Sequence, residues 1–186
     1  MPVKSVTTPN PPARQWPRYT FRSPRPPAEG DRVKAYPDFE DGLRSQRNRL
    51  WSVAIAFYRK ALELDPAFFE AQYNLGLAEL EAGDANRATE AFEIAAALRP
   101  DSTEARYYFA TSLKKAGFPP DAAQQLETLL ATKKNETRAH LAIAKLYAED
   151  LSRLDLAREH YRRVLELDPK HPQALEIGNW LVRHPD

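Results

Sequence analysis

The fold is decided by one stretch, Phe69–Ser102, which reads FEAQYNLGLAELEAGDANRATEAFEIAAALRPDS. Two apolar stripes with helical spacing run through it, and the pair Gly83-Asp84 separates them. This pattern predicts a first helix over about Glu70–Ala82 and a second helix over about Ala85–Leu98, which Pro100 ends. We therefore expect two antiparallel helices that form a hairpin.

The same pattern returns along the chain at a fixed interval. The small residues that keep this interval are Gly42, Gly76, Ala110 and Ala144 in the first helices and Ala54, Ala88, Ala122 and Ala157 in the second helices. The last of them falls one position late, which we interpret as one residue inserted in the turn around Asp150–Leu154. A period of about 34 residues is typical of helix–turn–helix units stacked into a solenoid.

Several segments within these units carry a family resemblance. YNLG at 73–76, GD at 83–84, AFYRKALELDP at 56–66 and HYRRVLELDP at 160–169 are similar to the tetratricopeptide repeat (TPR). The resemblance extends from about residue 35 to the C-terminus and implies a right-handed all-α solenoid. It also implies a scaffold for protein–protein interaction, because stacked repeats present an extended concave surface. It does not name the partner, since such repeats serve many.

The period divides the chain into an arm, four TPR units and a capping helix. The segments are 1–34 for the arm, 35–68, 69–102, 103–136 and 137–171 for the four units, and 172–186 for the capping helix. A solenoid needs a cap because its last unit otherwise exposes an apolar face. In the capping helix, either Gly178 or Asn179 corresponds to the small position of the other first helices.

Two units depart from the pattern at their turns. Arg49 in unit 1 and Leu151 in unit 4 stand where units 2 and 3 have Gly83 and Gly117. The first helix of unit 1, expected over about Asp38–Asn48, fits the pattern least well.

The arm, 1–34, differs in composition from the rest of the chain. It contains eight of the sixteen prolines and carries a net charge of +5, whereas the remaining residues carry −4. A segment with so little apolar surface cannot offset the entropy lost on ordering. We predict a disordered Pro-rich arm that adds nothing to the stability of the solenoid.

The role of the arm stays open at this point. A free linker is the interpretation that we favour. Pro24 and Pro27 beside Arg22 also have the P-x-x-P spacing that docks in aromatic-lined grooves. The aromatic residues of the arm are Trp16, Tyr19 and Phe21. Among arginines, such rings suit contact with nucleic acid or with the chain's own groove. The alternative function is therefore an assembly factor that uses the arm for a second contact.

Motifs of catalysis and cofactor binding are missing from the sequence. It has no GxxxxGK[ST], GxGxxG, HExxH or GxSxG motif and no cysteine. We predict a protein that is not an enzyme, with no cofactor, no metal and no small-molecule substrate.

No stretch approaches the roughly 18 apolar residues of a membrane span. No secretory signal is visible, which favours the cytoplasm, although an exported or periplasmic location stays open if a signal precedes this chain.

Candidate partner-binding residues lie on the first helices, which line the concave groove in the TPR family. We select the side chains that face away from the second helices. The set is Phe39, Leu43, Tyr73, Asn74, Leu77, Tyr107, Thr111, Lys114, Arg138, Leu141 and Lys145. Its first half is aromatic and aliphatic, and its second half is basic.

This composition favours one class of partner. An extended peptide would place an apolar side chain on Tyr73 and Tyr107, and an acidic group or C-terminal carboxylate toward Lys114, Arg138 and Lys145. The alternative is that the two tyrosines only pack between neighbouring units. We expect a protein or peptide partner and do not expect nucleic acid.

Overall fold

A computed structural model describes residues 15–22 and 25–185. The described residues form nine α-helices and one π-helical turn, which pack in adjacent pairs and confirm the predicted all-α solenoid. The helices are α1 (Arg32–Arg47), α2 (Trp51–Leu64), α3 (Phe69–Glu81), α4 (Ala85–Leu98), α5 (Thr103–Lys115), α6 (Pro119–Thr132), α7 (Thr137–Lys145), α8 (Leu154–Leu167) and α9 (Ala174–Arg183); the π-helical turn is Leu146–Asp150.

The helices form two layers. The first helices α1, α3, α5 and α7 make one surface, which we call the front face, and the second helices α2, α4, α6 and α8 make the back face. Each second helix packs against its own first helix and against the first helix of the next unit, so a continuous core runs between the layers. At the C-terminal end, α9 covers α8: Ile177 is buried, and the ring of Trp180 lies 4.8 Å from that of Tyr161.

The small repeat positions lie where the two layers touch, and all eight are buried. A Cβ atom on Gly42 would lie 2.5 Å from the ring of Tyr58, and one on Gly76 would lie 2.8 Å from the ring of Phe92. Both distances are too short for a carbon contact, so each glycine is required by the aromatic ring that packs on it. In the capping helix, a Cβ on Gly178 would meet nothing within 4 Å, and Asn179 is exposed. Neither residue marks a close helix crossing.

The turns within the units share one backbone conformation. Gly83 and Gly117 have φ values of 87° and 89°, in the left-handed region that favours glycine. Arg49 and Ser152 have φ values of 57° and 54° in the corresponding turns. Ser152, and not Leu151, is therefore the counterpart of the turn glycines in unit 4.

The inserted residue of unit 4 lies within the end of a helix. In the turn Leu146–Asp150, the backbone N–H of Leu151 donates to the carbonyl of Leu146 at 3.0 Å, five residues back. A π-helical turn holds one residue more than an α-helical turn. The expectation that the insertion lies in the connecting turn around Asp150–Leu154 was wrong, because the helix itself absorbs it.

Helix α1 begins six residues before the predicted start at Asp38. Asp31 caps its N-terminus by accepting a hydrogen bond from the backbone N–H of Lys34 at 3.0 Å. Just before it, the backbone N–H of Gly30 donates to Asp65 at 2.9 Å, and Arg32 forms an ion pair with Asp65. These contacts with unit 1 bring the last residues of the predicted arm into the first helix, ahead of Pro37.

Residues 15–22 have neither helix nor strand, but they lie along the back face of the solenoid and make specific contacts with it. The structure therefore differs here from the expected free arm. The rings of Tyr19 and Phe21 pack on Phe109 and Phe118 and not in the groove of the front face. The predicted disorder of residues 1–14 and the P-x-x-P motif that starts at Pro24 fall outside the described residues.

Candidate peptide-binding groove

An aromatic ladder crosses three first helices on the front face. The ring centroids of Tyr73 on α3 and Tyr108 on α5 are 5.8 Å apart, and those of Tyr108 and Tyr107 are 5.6 Å apart. The guanidinium of Arg138 on α7 lies 4.0 Å from the centroid of the Tyr107 ring. These are cation–π and edge-to-face distances. Three of the predicted residues are thereby connected, and Tyr108 completes the ladder.

An open cavity of about 370 Å³ lies beside Tyr73. Its lining comes from the start of α3, the connection to α5 and the first turn of α5: Phe69, Tyr73, Arg99, Asp101, Ser102 and Glu104. The guanidinium of Arg99 covers the ring of Phe69 at 3.9 Å and forms an ion pair with Glu70. Sequence reasoning missed Phe69 and Arg99, because it chose residues by their phase on the helix and not by the connections between units.

Phe39 occupies the same repeat position as Tyr73 but lies in the core. It is only 7% exposed, and its ring lies 4.7 Å from that of Phe68 and 5.9 Å from that of Tyr58. Phe68 precedes α3, and its counterpart in the next unit is Ser102. The large ring of Phe68 covers Phe39, whereas the small Ser102 leaves the cavity over Tyr73 open.

Two of the three cations in the basic half of the predicted groove bond to neighbouring side chains, and acids neutralise one of them. The Nζ atom of Lys114 lies 3.2 Å from Glu149 and 3.1 Å from Asp150, and Lys145 donates to the side chain of Gln173 at 3.2 Å. Burial lowers the pKa of Lys114, but its two acidic partners outweigh burial and the net shift is upward. Of the three predicted cations, Lys114 alone pairs with carboxylates among the residues described, whereas Lys145 bonds to a neutral amide and Arg138 lies over the Tyr107 ring.

The remaining predicted residues support the surface. Asn74 donates to the carbonyl of Glu70 at 2.7 Å, and Thr111 donates to the carbonyl of Tyr107 at 3.0 Å, so both polar groups bond within their own helices. The three leucines of the set are half-buried and pack against the core; they are Leu43, Leu77 and Leu141.

Burial also affects the ionisation of the ladder. It raises the pKa of Tyr73 to about 12, with smaller contributions from Tyr108 and Glu104, and Arg138 opposes the shift. Tyr73 is therefore a neutral hydroxyl at physiological pH. Among the residues described, no three histidine or acidic side chains lie close enough together to hold a metal ion. The groove offers aromatic faces, hydroxyl groups and one stacked guanidinium, which suit binding.

Helix pairs that stack one on the next define the class of helical-repeat proteins. Within this class, three family models match: a tetratricopeptide repeat model over residues 79–146, a TPR repeat model over 51–83 and a further tetratricopeptide repeat model over 137–171. Together they cover the chain from residue 51 to residue 171. The chain belongs to the tetratricopeptide repeat family.

Relatives and solved structures agree with this assignment. MamA from Desulfovibrio magneticus RS-1 superimposes with a TM-score of 0.72 at 25% identity, covering 84% of this chain and 87% of that one. The structure described as a functional characterisation of Pseudomonas aeruginosa pilF gives 0.68 at 20% identity, covering 82% and 70%, and shows the fold alone.

A curated relative, the protein O-mannosyl-transferase Tmtc3 of Drosophila melanogaster, is 26% identical over 136 residues. The match covers 73% of this chain but only 14% of that protein.

Within the described part of the chain, no helix has the length and apolar character needed to cross a bilayer. The family and the fold together support a protein-interaction scaffold.

Proposed function

We propose that this chain binds an extended segment of a protein partner along the front face and catalyses no reaction of its own. The observation that carries the proposal is the aromatic ladder, which joins α3, α5 and α7 beside an open cavity. The rings of Tyr73, Tyr107 and Tyr108 are half-buried. Aromatic rings held on a rigid framework are the usual anchors of protein interfaces, each worth on the order of 2 kcal/mol or more.

The chemistry of the groove restricts the partner. The cavity beside Tyr73 is wide enough for one side chain of the partner. The guanidinium of Arg138 lies 4.0 Å from the centroid of the Tyr107 ring and has no carboxylate partner among the described residues, so we expect its N–H groups to donate to a carboxylate of the partner. We therefore expect a segment with an apolar or aromatic residue followed along the groove by an acidic one.

The cavity provides a sharp test. Ser102→Phe would introduce at the second unit the ring that covers Phe39 in the first. Peptides selected from a phage-displayed random library on the wild-type chain should bind Ser102→Phe at least about tenfold more weakly, a loss of about 1.4 kcal/mol.

Ser102→Ala is the matched control. It removes the same N-terminal cap of α5, where the Ser102 hydroxyl accepts from Ala105 at 3.2 Å, but it leaves the cavity open. Its affinity for the peptides should stay close to that of the wild type. Equal binding by Ser102→Phe and Ser102→Ala would place the peptide elsewhere and reject the proposal.

A further inference from the structure

A furrow on the back face between α4 and α6 holds a segment of the chain itself. We call residues 16–22 the strap. The strap furrow is lined by Glu90 and Glu93 of α4, Phe109 of α5, Phe118 in the following turn and Asp121 of α6. Its contacts with the strap are those of a receptor with a peptide, as three sets of interactions show.

The first set recognises an arginine. Arg18 Nε donates to both carboxylate oxygens of Asp121 at 3.0 and 3.2 Å, and Arg18 Nη2 donates to Asp121 Oδ1 at 2.9 Å. The backbone N–H of Tyr19 donates to Asp121 Oδ2 at 3.0 Å. The Asp121 side chain is 1% exposed and lies in the first turn of α6. A forked arginine–carboxylate contact fixes direction as well as charge.

The second set recognises aromatic rings. The Tyr19 ring lies edge-to-face against Phe109 at 6.1 Å and against Phe118 at 5.4 Å, and its hydroxyl donates to Glu93 at 2.6 Å. Phe21 follows with its ring 6.0 Å from that of Phe109. An apolar slot with an acceptor at its end suits tyrosine, whose ring is apolar and whose tip is polar.

The third set of interactions holds the two ends of the strap. Arg22 forms an ion pair with Glu90, and the indole N–H of Trp16 donates to the carbonyl of Asp150 at 3.2 Å. Each hydrogen bond between the strap and the solenoid that the structure describes involves a side chain on at least one partner. Residues 15–22 contain no helix or strand. Recognition of an extended segment through its side chains is characteristic of a peptide-binding site.

The strap furrow differs in charge from the preceding furrow at two equivalent repeat positions. Arg59 and Arg87 of the preceding furrow are the counterparts, one repeat earlier, of Glu93 and Asp121. The furrow between α2 and α4 thus carries arginines at the two positions where the strap furrow carries acids. The acids of the strap furrow attract a basic segment, whereas the arginines of the preceding furrow already pair with Glu79 and Asp84.

We propose that the strap furrow is a second peptide-binding site, specific for an extended Arg-Tyr-x-Phe segment, and that residues 16–22 fill it as a tethered ligand of the same molecule. This site lies on the face opposite the aromatic ladder and does not depend on the function proposed for that ladder. A tethered ligand competes at millimolar effective concentration, so the furrow is closed to outside peptides while the strap is bound.

The test uses the full chain with Arg18→Ala and Tyr19→Ala, which we call the release variant. The probe is a fluorescein-labelled peptide of residues 15–22, QWPRYTFR, followed by fluorescence anisotropy. The release variant should bind the probe at least about tenfold more tightly than the wild type, because its own strap no longer competes. Circular dichroism checks that the release variant keeps its helices.

Matched variants locate the binding. Adding Asp121→Asn to the release variant should weaken probe binding at least about tenfold, since the forked contact with arginine is lost. Adding Glu104→Gln, an acid of the front face, should leave probe binding unchanged. Equal binding by wild type and release variant, or no effect of Asp121→Asn, would overturn the proposal.

Two further measurements keep the proposal testable if the release variant does not fold. Hydrogen exchange on the wild type should show the backbone amide of Tyr19 protected, because it bonds to buried Asp121; an amide that exchanges freely rejects a filled furrow. Light scattering of the wild type should show a monomer. A dimer that 1 M salt dissociates, by screening the arginine–acid pairs, would show that the strap fills the furrow of a second copy and would overturn the tethered arrangement.

Discussion

The strap on the back face and the ladder on the front face both contain arginine and tyrosine side chains, but only those of the strap pair with acids of the same molecule. On the back face, the arginine and tyrosine of the strap meet Asp121 and Glu93, so their charge and hydroxyl are paired within the molecule. On the front face, the ladder places Arg138 over Tyr107 without a carboxylate among the described residues. The comparison teaches that aromatic and charged residues form an occupied site where the chain itself pairs their polar groups, and an open candidate site where it does not.

The largest effect should come from a substitution in the core that lies between the two faces. Gly76→Leu would press against the ring of Phe92, where even a Cβ atom would lie 2.8 Å away. Overpacking typically costs about 1–3 kcal/mol of unfolding free energy, and both faces should lose binding, because α3 and α4 are forced apart. Urea denaturation measures the cost. Gly178→Leu is the control, since nothing lies within 4 Å of a Cβ there; equal stability of the two variants would contradict the helix pairing.

The next effect should appear on the front face alone. Tyr107→Ala removes the ring that carries Arg138 and should weaken binding of groove-selected peptides by on the order of 2 kcal/mol. Isothermal titration calorimetry measures this loss. The strap furrow should still bind its probe in the release variant. Loss of helical circular dichroism would instead show that Tyr107 is only a packing residue.

A smaller effect should appear on the back face alone. Tyr19→Phe keeps the ring between Phe109 and Phe118 but removes the hydrogen bond to Glu93, which is 5% exposed. We expect a loss of about 1 kcal/mol of unfolding free energy, measured by thermal or urea denaturation, and unchanged peptide binding at the front. Tyr36→Phe, at a half-exposed ring of α1, is the control. An unchanged stability would mean that the strap is not docked in solution.

A gain of stability is expected at turns that belong to neither face. Arg49 and Ser152 hold left-handed backbone conformations that cost a non-glycine residue energy. Arg49→Gly and Ser152→Gly should each stabilise the chain by about 0.5–1 kcal/mol, after allowance for the larger entropy of glycine in the unfolded state. Leu151→Gly, one residue away in a right-handed conformation, should destabilise it. Melting temperatures distinguish these outcomes.

The smallest effect should follow from a change of pH at two neighbouring histidines, His140 on α7 and His160 on α8. His140 Nε2 lies 3.0 Å from the carbonyl of Lys134, and its Nδ1 lies 2.9 Å from Nδ1 of His160. The carbonyl fixes the His140 proton on Nε2, so His160 donates to His140 Nδ1. Burial, followed by the neighbouring His140, lowers the pKa of His160.

The direction of this pH effect follows from the difference between the pKa of His160 in the folded chain and in the unfolded chain. The unfolded chain binds a proton at His160 near pH 6.5, whereas the folded chain binds it only at lower pH. Stability should therefore fall as the pH is lowered through 6.5 toward the folded value, and it should not depend on His160 well above 6.5. Urea denaturation from pH 7.5 to 5 measures this slope. In His160→Gln the slope should be smaller; an unchanged slope would assign it to other groups.

The repeat pattern predicted the helices because each stripe of small and aromatic residues encodes a local contact that returns in every unit. The same reasoning placed Tyr73 and Tyr107 on the front face but could not see that Phe68 covers Phe39 while Ser102 leaves Tyr73 open. That difference depends on the connection between units, where the repeats diverge.

The strap was harder still to predict. The contact between Arg18 and Asp121 joins residues 103 positions apart and has no periodic signal. Composition alone favoured disorder for this segment, because the segment contains few apolar residues. The buried acids that pair with it lie in distant parts of the sequence, and composition does not reveal such a pairing. Opposite charges at equivalent repeat positions, Arg59 with Glu93 and Arg87 with Asp121, were the available clue.

The strap also fixes an order of events during synthesis. Most contacts of a solenoid join neighbouring units, which can form one after another as the chain leaves the ribosome. Trp16 contacts Asp150, 134 residues later, and closing a loop of that length has an entropy cost. Residues 18–22 can dock only after α6 has formed, and Trp16 completes its contact only after the π-helical turn of the fourth unit has formed. Among the described residues, the part of the chain that is synthesised first must therefore wait for residues that are synthesised much later.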